Sequence, residues 1–390
     1  MPLVRVLVAP GPLGLLGPVE AAAVVAEAWR SAAPHDEVVA APLSDGGPGF
    51  VDAVRSTVGG ELLAVPTTSP GGSPVPGAVL LADDGRTAYV ESAHAVGLGP
   101  AAAAADPAAD PAVGTSAGVG TLLLAALGAG ARRVVVGVGG AAAVDAGAGM
   151  LVALGLPDAR GRLRGGAAHL GAVESSDLDG LRALRERLTG VELVAAVDVD
   201  RPLLGLQGAA ASAADTLGLG AEQAQALERH LAHLAHVAVD ALGDAEQPDP
   251  LRGARPVARL TSAPGAGAGG GVAFGLSLLG ARLVPGARLV AEVTGLADRT
   301  AAADVVVTGV GRLDWRALDG TVVAEVAREG LAHGVPMVVL AEEVTVGRRE
   351  QAAAGITAAY AFGGPGDAGP AELLDRRVRR VARTWSPPPA

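Results

Sequence analysis

The feature that most constrains the fold is a recurring junction, in which a short apolar run stops at glycine or proline and gives way to an Ala/Leu-rich segment. Leu3–Ala9 (LVRVLVA), Arg133–Val138 (RVVVGV) and Asp304–Thr308 (DVVVT) are too short for helices and too evenly apolar for strands with one wet face. Such runs are buried on both sides, as strands are in a parallel sheet covered by helices. Further strands are expected at Glu37–Ala41, Glu61–Val65, Ala78–Ala82, Thr87–Glu91, Glu192–Val197 and Pro336–Ala341. Helices are expected at Val19–Arg30, Thr115–Leu127, Leu178–Leu188, Ala221–Leu242, Val272–Leu279, Val322–His333 and Ala371–Thr384. The alternation predicts an α/β protein. With only 2% aromatic residues, its cores must be built from Ala, Val and Leu.

At roughly 150 residues per domain, 390 residues suggest about two or three domains. Pro66–Pro76 reads as a crossing between domains and Gly286–Leu296 as a return. Ala101–Ala112, Gln247–Pro256 and the tail SPPPA read as segments of weak order, because proline and low complexity interrupt any element there.

Charge and composition exclude several functions. A net charge of −11 opposes a phosphate-tracking nucleic-acid binder. Cys is absent, which removes disulfides, thiolate metal sites and cysteine nucleophiles. Lys and Asn are also absent, so all 30 basic residues are Arg. The N-terminus lacks a secretory pattern, and the longest uncharged stretch, Pro111–Ala131, is interrupted by glycines. A cytoplasmic protein without membrane or nucleic-acid partners is expected.

Candidate chemistry gathers where strands end in glycine, because such turns let backbone N–H groups approach an anion. These turns are Val6–Gly17, Ser44–Gly47, Val134–Met150, Pro264–Gly271 and Val305–Asp314. None is a phosphate loop of the GxxxxGK[ST] kind, which needs a Lys. Asp198 and Asp200, two apart at a strand end, read either as Mg²⁺ ligands or as a solvated strand end. Asp45 and Asp145 read as groups that position a hydroxyl or a metal-bound water, or as turn residues bonded to their own backbone. Glu91 with His94 is either a buried structural pair or an acid–base couple. His230, His233 and His236 recur every third residue, a spacing that spreads them around a helix and disfavours one shared metal. Five arginines between Arg376 and Arg383 give the last helix a basic face, read as solvated or, as the alternative, as a partner or membrane surface.

In this order the loops resemble the bacterial type 1 glycerate kinase family across nearly the whole chain. The family's APDSFKGS is similar to Ala9–Leu16, its ADGGEGT to Ser44–Phe50, and its YGTGEL to Ala117–Leu122. GIGGSATNDGGAGM is similar to Gly137–Met150, CDVxNPL to Val197–Leu203, and TGEGRxDxQTxxGK to Thr308–Thr321. The resemblance implies two α/β domains. One is flavodoxin-like (Rossmann-like) and formed by residues 1–66 plus 290–384, the other is inserted at 67–289, and 385–390 form a tail. It also implies transfer of the γ-phosphoryl of ATP, with Mg²⁺, to D-glycerate. Gly46, Gly47, Gly139, Gly140, Thr308, Gly309 and Gly311 then fall at cofactor-binding turns. Asp45, Asp145, Asp198, Arg312 and Asp314 remain from the charged motif positions, with Glu91 as a more distant companion, and Asp198 with Asp200 as metal ligands. Asp145 is expected to face a pocket above the Gly139–Gly140 turn, and Arg312 to clamp a carboxylate or phosphate.

The departures fall on polar positions. The first loop has Gly11, Pro12, Gly14 and Leu16 in place of Asp, Ser, Lys and Ser, and Pro48 stands for Glu. Ala141, Ala143 and Val144 stand for Ser, Thr and Asn; Val310 for Glu; Arg316 and Ala317 for Gln-Thr; Thr321 for Lys. Phosphoryl transfer runs on charge placed around the transferring group. The resemblance, taken with these departures, implies a pseudoenzyme on a kinase fold that keeps a cleft for a small acidic ligand or Mg²⁺, or a role toward a protein partner, with a divergent glycerate or hydroxy-acid kinase using the remaining Asp residues and Arg312 as the alternative.

Overall fold

A computed structural model describes residues 4–97, 112–243, 256–363 and 369–386. The chain divides into two compact units, one formed by residues 1–45, 52–59 and 286–390, the other by 46–51 and 60–285. Ala101–Ala112 and Gln247–Pro256 lie almost wholly outside the described residues, as do the last four residues of the tail.

The first unit is built on a parallel five-stranded sheet of β1 (Arg5–Val8), β2 (Glu37–Ala40), β9 (Val305–Leu313), β10 (Met337–Val344) and β11 (Ala358–Ala361), in the order β11-β10-β9-β1-β2. Counting only the strands of this sheet, that is the flavodoxin-like order 2-1-3-4-5, whose switch point lies between β1 and β9. Helices Pro18–Ala32 and Pro370–Trp385 pack against each other, burying Trp29, Val25, Leu374 and Val378. Pro18 sits in the first turn of its helix, where its missing N–H costs nothing. Trp29 carries the unit's largest buried side chain, and its Nε1–H donates to Asp36 at 2.8 Å.

The second unit holds a six-stranded sheet in the order β3-β4-β5-β6-β7-β8. These are Glu61–Thr68, Pro74–Ala82, Thr87–Glu91, Arg133–Val138, Glu192–Val197 and Arg282–Pro285. Strands β5 to β8 run parallel, while β3 and β4 form an antiparallel hairpin on β5. Pro66–Pro76 is thus no crossing: Pro66 pairs with Pro76 inside the hairpin. Proline is tolerated there because β3 is an edge strand and β4 has run past β5 at that point. The expected strand β5 and helix Ala221–Leu242 are found with the bounds predicted. The core is Ala, Val and Leu, with Phe274 and Met150 as its larger members.

Two ion-pair groups tie distant segments together. Arg5 donates from Nε and Nη2 to Asp304, joining the start of β1 to the entry of β9, and holds the Asp304 carboxyl below its usual range. In the second unit, Arg160 and Arg162 grip Glu174 and Asp177, whose carboxyls are likewise lowered, chiefly by the arginines for Glu174 and by the Glu174 backbone N–H for Asp177. Depressed carboxyls give stability that is complete above their unfolded value, about 4, and is lost as pH falls through the folded one. Urea midpoints measured from pH 6 to pH 3 should therefore drop on acidification, and Asp304→Asn should shallow that drop.

Candidate functional site

In the second unit the carboxyl ends of β5, β6 and β7 lie side by side, with Glu91 opposite Gly137 and Val138 opposite Val197. The hexapeptide Gly46–Val51 closes over them. Gly46 presses on the Ala196 carbonyl with φ of 102°, and a Cβ there would collide with that oxygen. Phe50 is buried against Gly137, its ring centroid 6.1 Å from that of Tyr89. The Glu91 carboxylate accepts Gly49 N–H and Val51 N–H, both at 3.0 Å, and so anchors the loop from below. His94 Nε2 stands 4.0 Å from the same carboxylate, too far for a hydrogen bond.

The turn after β6 is equally crowded. A Cβ on Gly139 would strike the Asp198 carboxylate and come 2.8 Å from Gly47 Cα, so Gly47, Gly139 and Asp198 are packed together. Gly139 N–H reaches Ser92 Oγ at 3.4 Å, and Gly140 takes a left-handed φ of 57°. Asp198 and Asp200 lie past the end of β7 at Val197, where the two-residue alternation of a strand no longer sets a common face for them. Asp198 is half-buried and Asp200 exposed. Among the described residues no group of three or more His, Asp or Glu is placed to hold a metal ion.

Asp145 corrects its expectation. It is 0% exposed, and its carboxylate is turned onto backbone N–H groups and a serine hydroxyl. Its Oδ2 accepts Ser116 N–H at 2.8 Å, Ser116 Oγ–H at 2.9 Å and Gly149 N–H at 3.0 Å, while Oδ1 accepts Gly147 N–H at 3.0 Å. Ser116 Oγ in turn accepts Met150 N–H at 3.0 Å. The carboxylate thereby ties the entry of helix Ala117–Gly128 to that of Ala148–Ala153. Burial pushes its carboxyl up, and the donors pull it back. Sequence reasoning missed Ser116, although a Thr-Ser pair just before an apolar helix signals a cap.

In the first unit the loop after β1 folds onto β9. Leu13 is buried, pairs with Leu16, and fills the space beside Gly309. Gly14 lies against Gly311, and Thr308 Oγ1–H donates to the Ala9 carbonyl at 2.7 Å, fastening the two strand ends. Gly14 has φ of 61°, and the Glu342 carboxylate stands where a side chain on residue 14 would begin. No sequence signal pointed to Glu342. Arg312 is exposed but pairs with Glu343 at 2.6 Å, its register partner on β10. Asp314 caps the short turn Trp315–Leu318, accepting Arg316 N–H at 2.9 Å and Ala317 N–H at 3.3 Å. Asp45 is half-buried in the same unit.

His230 and His233 are hydrogen-bonded at 2.8 Å to the carbonyls of Ala167 and Val173, and His236 to Ala232 within its own helix. They fasten a helix and do not converge.

A parallel flavodoxin-like sheet and a mixed sheet, each carrying glycine turns at the carboxyl ends of its parallel strands, define a two-unit α/β protein. Residues 6–386 match the family described as the glycerate kinase family, and the chain belongs to it. It is 33% identical to a glycerate kinase of Bacillus subtilis, over 85% of this chain and 82% of the relative. It is also 33% identical to a glycerate 2-kinase of Escherichia coli, over 84% and 81%. An uncharacterised protein of Mycobacterium bovis is 38% identical over 93% and 85%. Among solved structures, a protein provisionally assigned as glycerate kinase 2 from Salmonella typhimurium LT2 superposes with a TM-score of 0.75, at 29% identity, over 98% of this chain and 97% of that one.

Proposed function

We propose that this chain is a catalytically silent member of the glycerate kinase family, keeping the fold and its glycine turns as a binding scaffold for a small acid. The observation that carries this reading is position 14. The family motif has a Lys there; this chain has a left-handed glycine with a carboxylate against it. A phosphate-handling cation is replaced by backbone beside an anion, so a triphosphate meets repulsion where it would need compensation. The other charged remnants support the reading. Asp145 is spent on helix entries, Asp314 on a turn and Arg312 on Glu343.

The residues present do not fit the family's ATP and Mg²⁺. The Glu342 carboxylate stands where the family's Lys side chain would begin, and there it would repel a triphosphate and its metal-bound oxygens instead of compensating them. Loss of a single electrostatic contact of this kind costs about 10²–10³ in rate, and several are missing together. ADP release by the purified protein with ATP, Mg²⁺ and D-glycerate should equal the rate without protein. Turnover above that background, abolished by Asp198→Asn, would establish the divergent kinase instead. A melting point raised by D-glycerate or phosphoglycerate alone is expected from a scaffold that binds without turning over.

A further inference from the structure

We propose that the outward face of the C-terminal helix Pro370–Trp385 is a docking surface for an acidic polypeptide segment of a partner protein. The helix carries five arginines against two acids, in a chain whose net charge is −11, so its positive charge is concentrated rather than typical of the molecule. Arg376, Arg380 and Arg383 follow the i, i+4, i+7 spacing of one helical face and are all exposed. At 1.5 Å per residue they span about 10 Å.

The arginines are not equally occupied. Arg379 forks onto Asp375 at 2.8 and 3.0 Å, and its neighbour in space is Ser31 of the packed helix Pro18–Ala32. Arg376 reaches Glu372 at 2.7 Å, an exposed i, i+4 pair that contributes little and that a better anion displaces readily. Arg377, Arg380 and Arg383 make no ion pair or side-chain hydrogen bond among the described residues. A ridge of planar guanidinium groups, some free and one lightly held, is matched by carboxylates spaced along a peptide, which each fork can take in a bidentate manner.

Two other polyanions fit less well. Insertion into a membrane would need an apolar face free to enter it, and Leu374, Val378, Val381 and Ala382 are already buried within the unit, which leaves a lipid surface only the charge attraction. A nucleic-acid duplex would bring unbroken lines of phosphate against a molecule that is acidic elsewhere, whereas a short acidic segment need touch only the ridge.

The test uses the full chain and a fluorescent decapeptide of glutamate at 50 mM NaCl. Saturable binding is expected, weakened several-fold at 200 mM NaCl and at least about tenfold by Arg380→Glu with Arg383→Glu, where like charges now face the peptide. The melting point of that variant confirms folding, and Arg380→Gln with Arg383→Gln replaces it if folding suffers. Absence of saturable binding, or unchanged affinity in the folded variant, would overturn the proposal. So would tighter binding of duplex DNA or phosphatidylserine vesicles through the same arginines, since either makes the ridge a site for another class of partner.

Discussion

Replacing Asp145 by Ala should be among the most damaging single substitutions in this protein. The change leaves Ser116 N–H, Gly147 N–H and Gly149 N–H inside the core without an acceptor, and Ser116 Oγ–H with them. An unsatisfied buried donor costs about 1–3 kcal/mol, so even with partial relaxation the loss should reach about 3–5 kcal/mol. That is a large part of the stability of an ordinary domain. Asp145→Asn should be milder. With its carbonyl oxygen in the place of Oδ2, the amide keeps three of the four bonds and turns its NH₂ only toward Gly147. Urea unfolding of both variants checks this, and an Asn variant as unstable as the Ala variant would mean that the negative charge itself does the holding. The same experiment bears on mechanism, because a residue buried in this way acts on any ligand only through the helix entries it fastens.

The second large effect is expected at Gly46→Ala. The new Cβ meets the Ala196 carbonyl, which is backbone and has little room to yield, and the residue keeps a φ of 102° that side chains avoid. Strained backbone costs about 1–3 kcal/mol and overpacking a similar amount. The loop has an easier way out, which is to lift from the end of β7. Gly49 N–H and Val51 N–H then leave the Glu91 carboxylate. The variant should fold with a lowered melting point and with faster amide exchange at Gly49 and Val51 than in the parent. Unchanged exchange at both amides would show that the loop is held by something other than Glu91.

Sequence patterning disclosed the fold where the elements are long or buried on both faces. Helix Ala221–Leu242 and strand β5 are legible because their periods are uninterrupted. The four-residue strands β8 and β11 escaped notice. Both lie at sheet edges, where partial exposure dilutes the apolar signal. Helix Phe50–Val58 was missed because the loop before it, rich in Gly and Pro, reads as punctuation.

The candidate site was less legible, for a physical reason. Asp145 sits between Val and Ala-Gly and reads locally as a turn, while the partner that decides its role, Ser116, lies 29 residues away. Arg312 looks free in sequence, yet the register of β9 on β10 sets Glu343 opposite it. Pairings made by topology leave no trace in the neighbouring residues.

The first sheet draws β1 and β2 from the start of the chain and β9 to β11 from its end. During synthesis, β1 therefore waits on one flank for a neighbour that leaves the ribosome only after the whole second unit has been made. Contacts so distant in sequence are slow to close, and the waiting edge is a place where chains can associate wrongly. The second unit should accordingly acquire its hydrogen-exchange protection first, and the concluding step of refolding should be the docking of β9 onto β1.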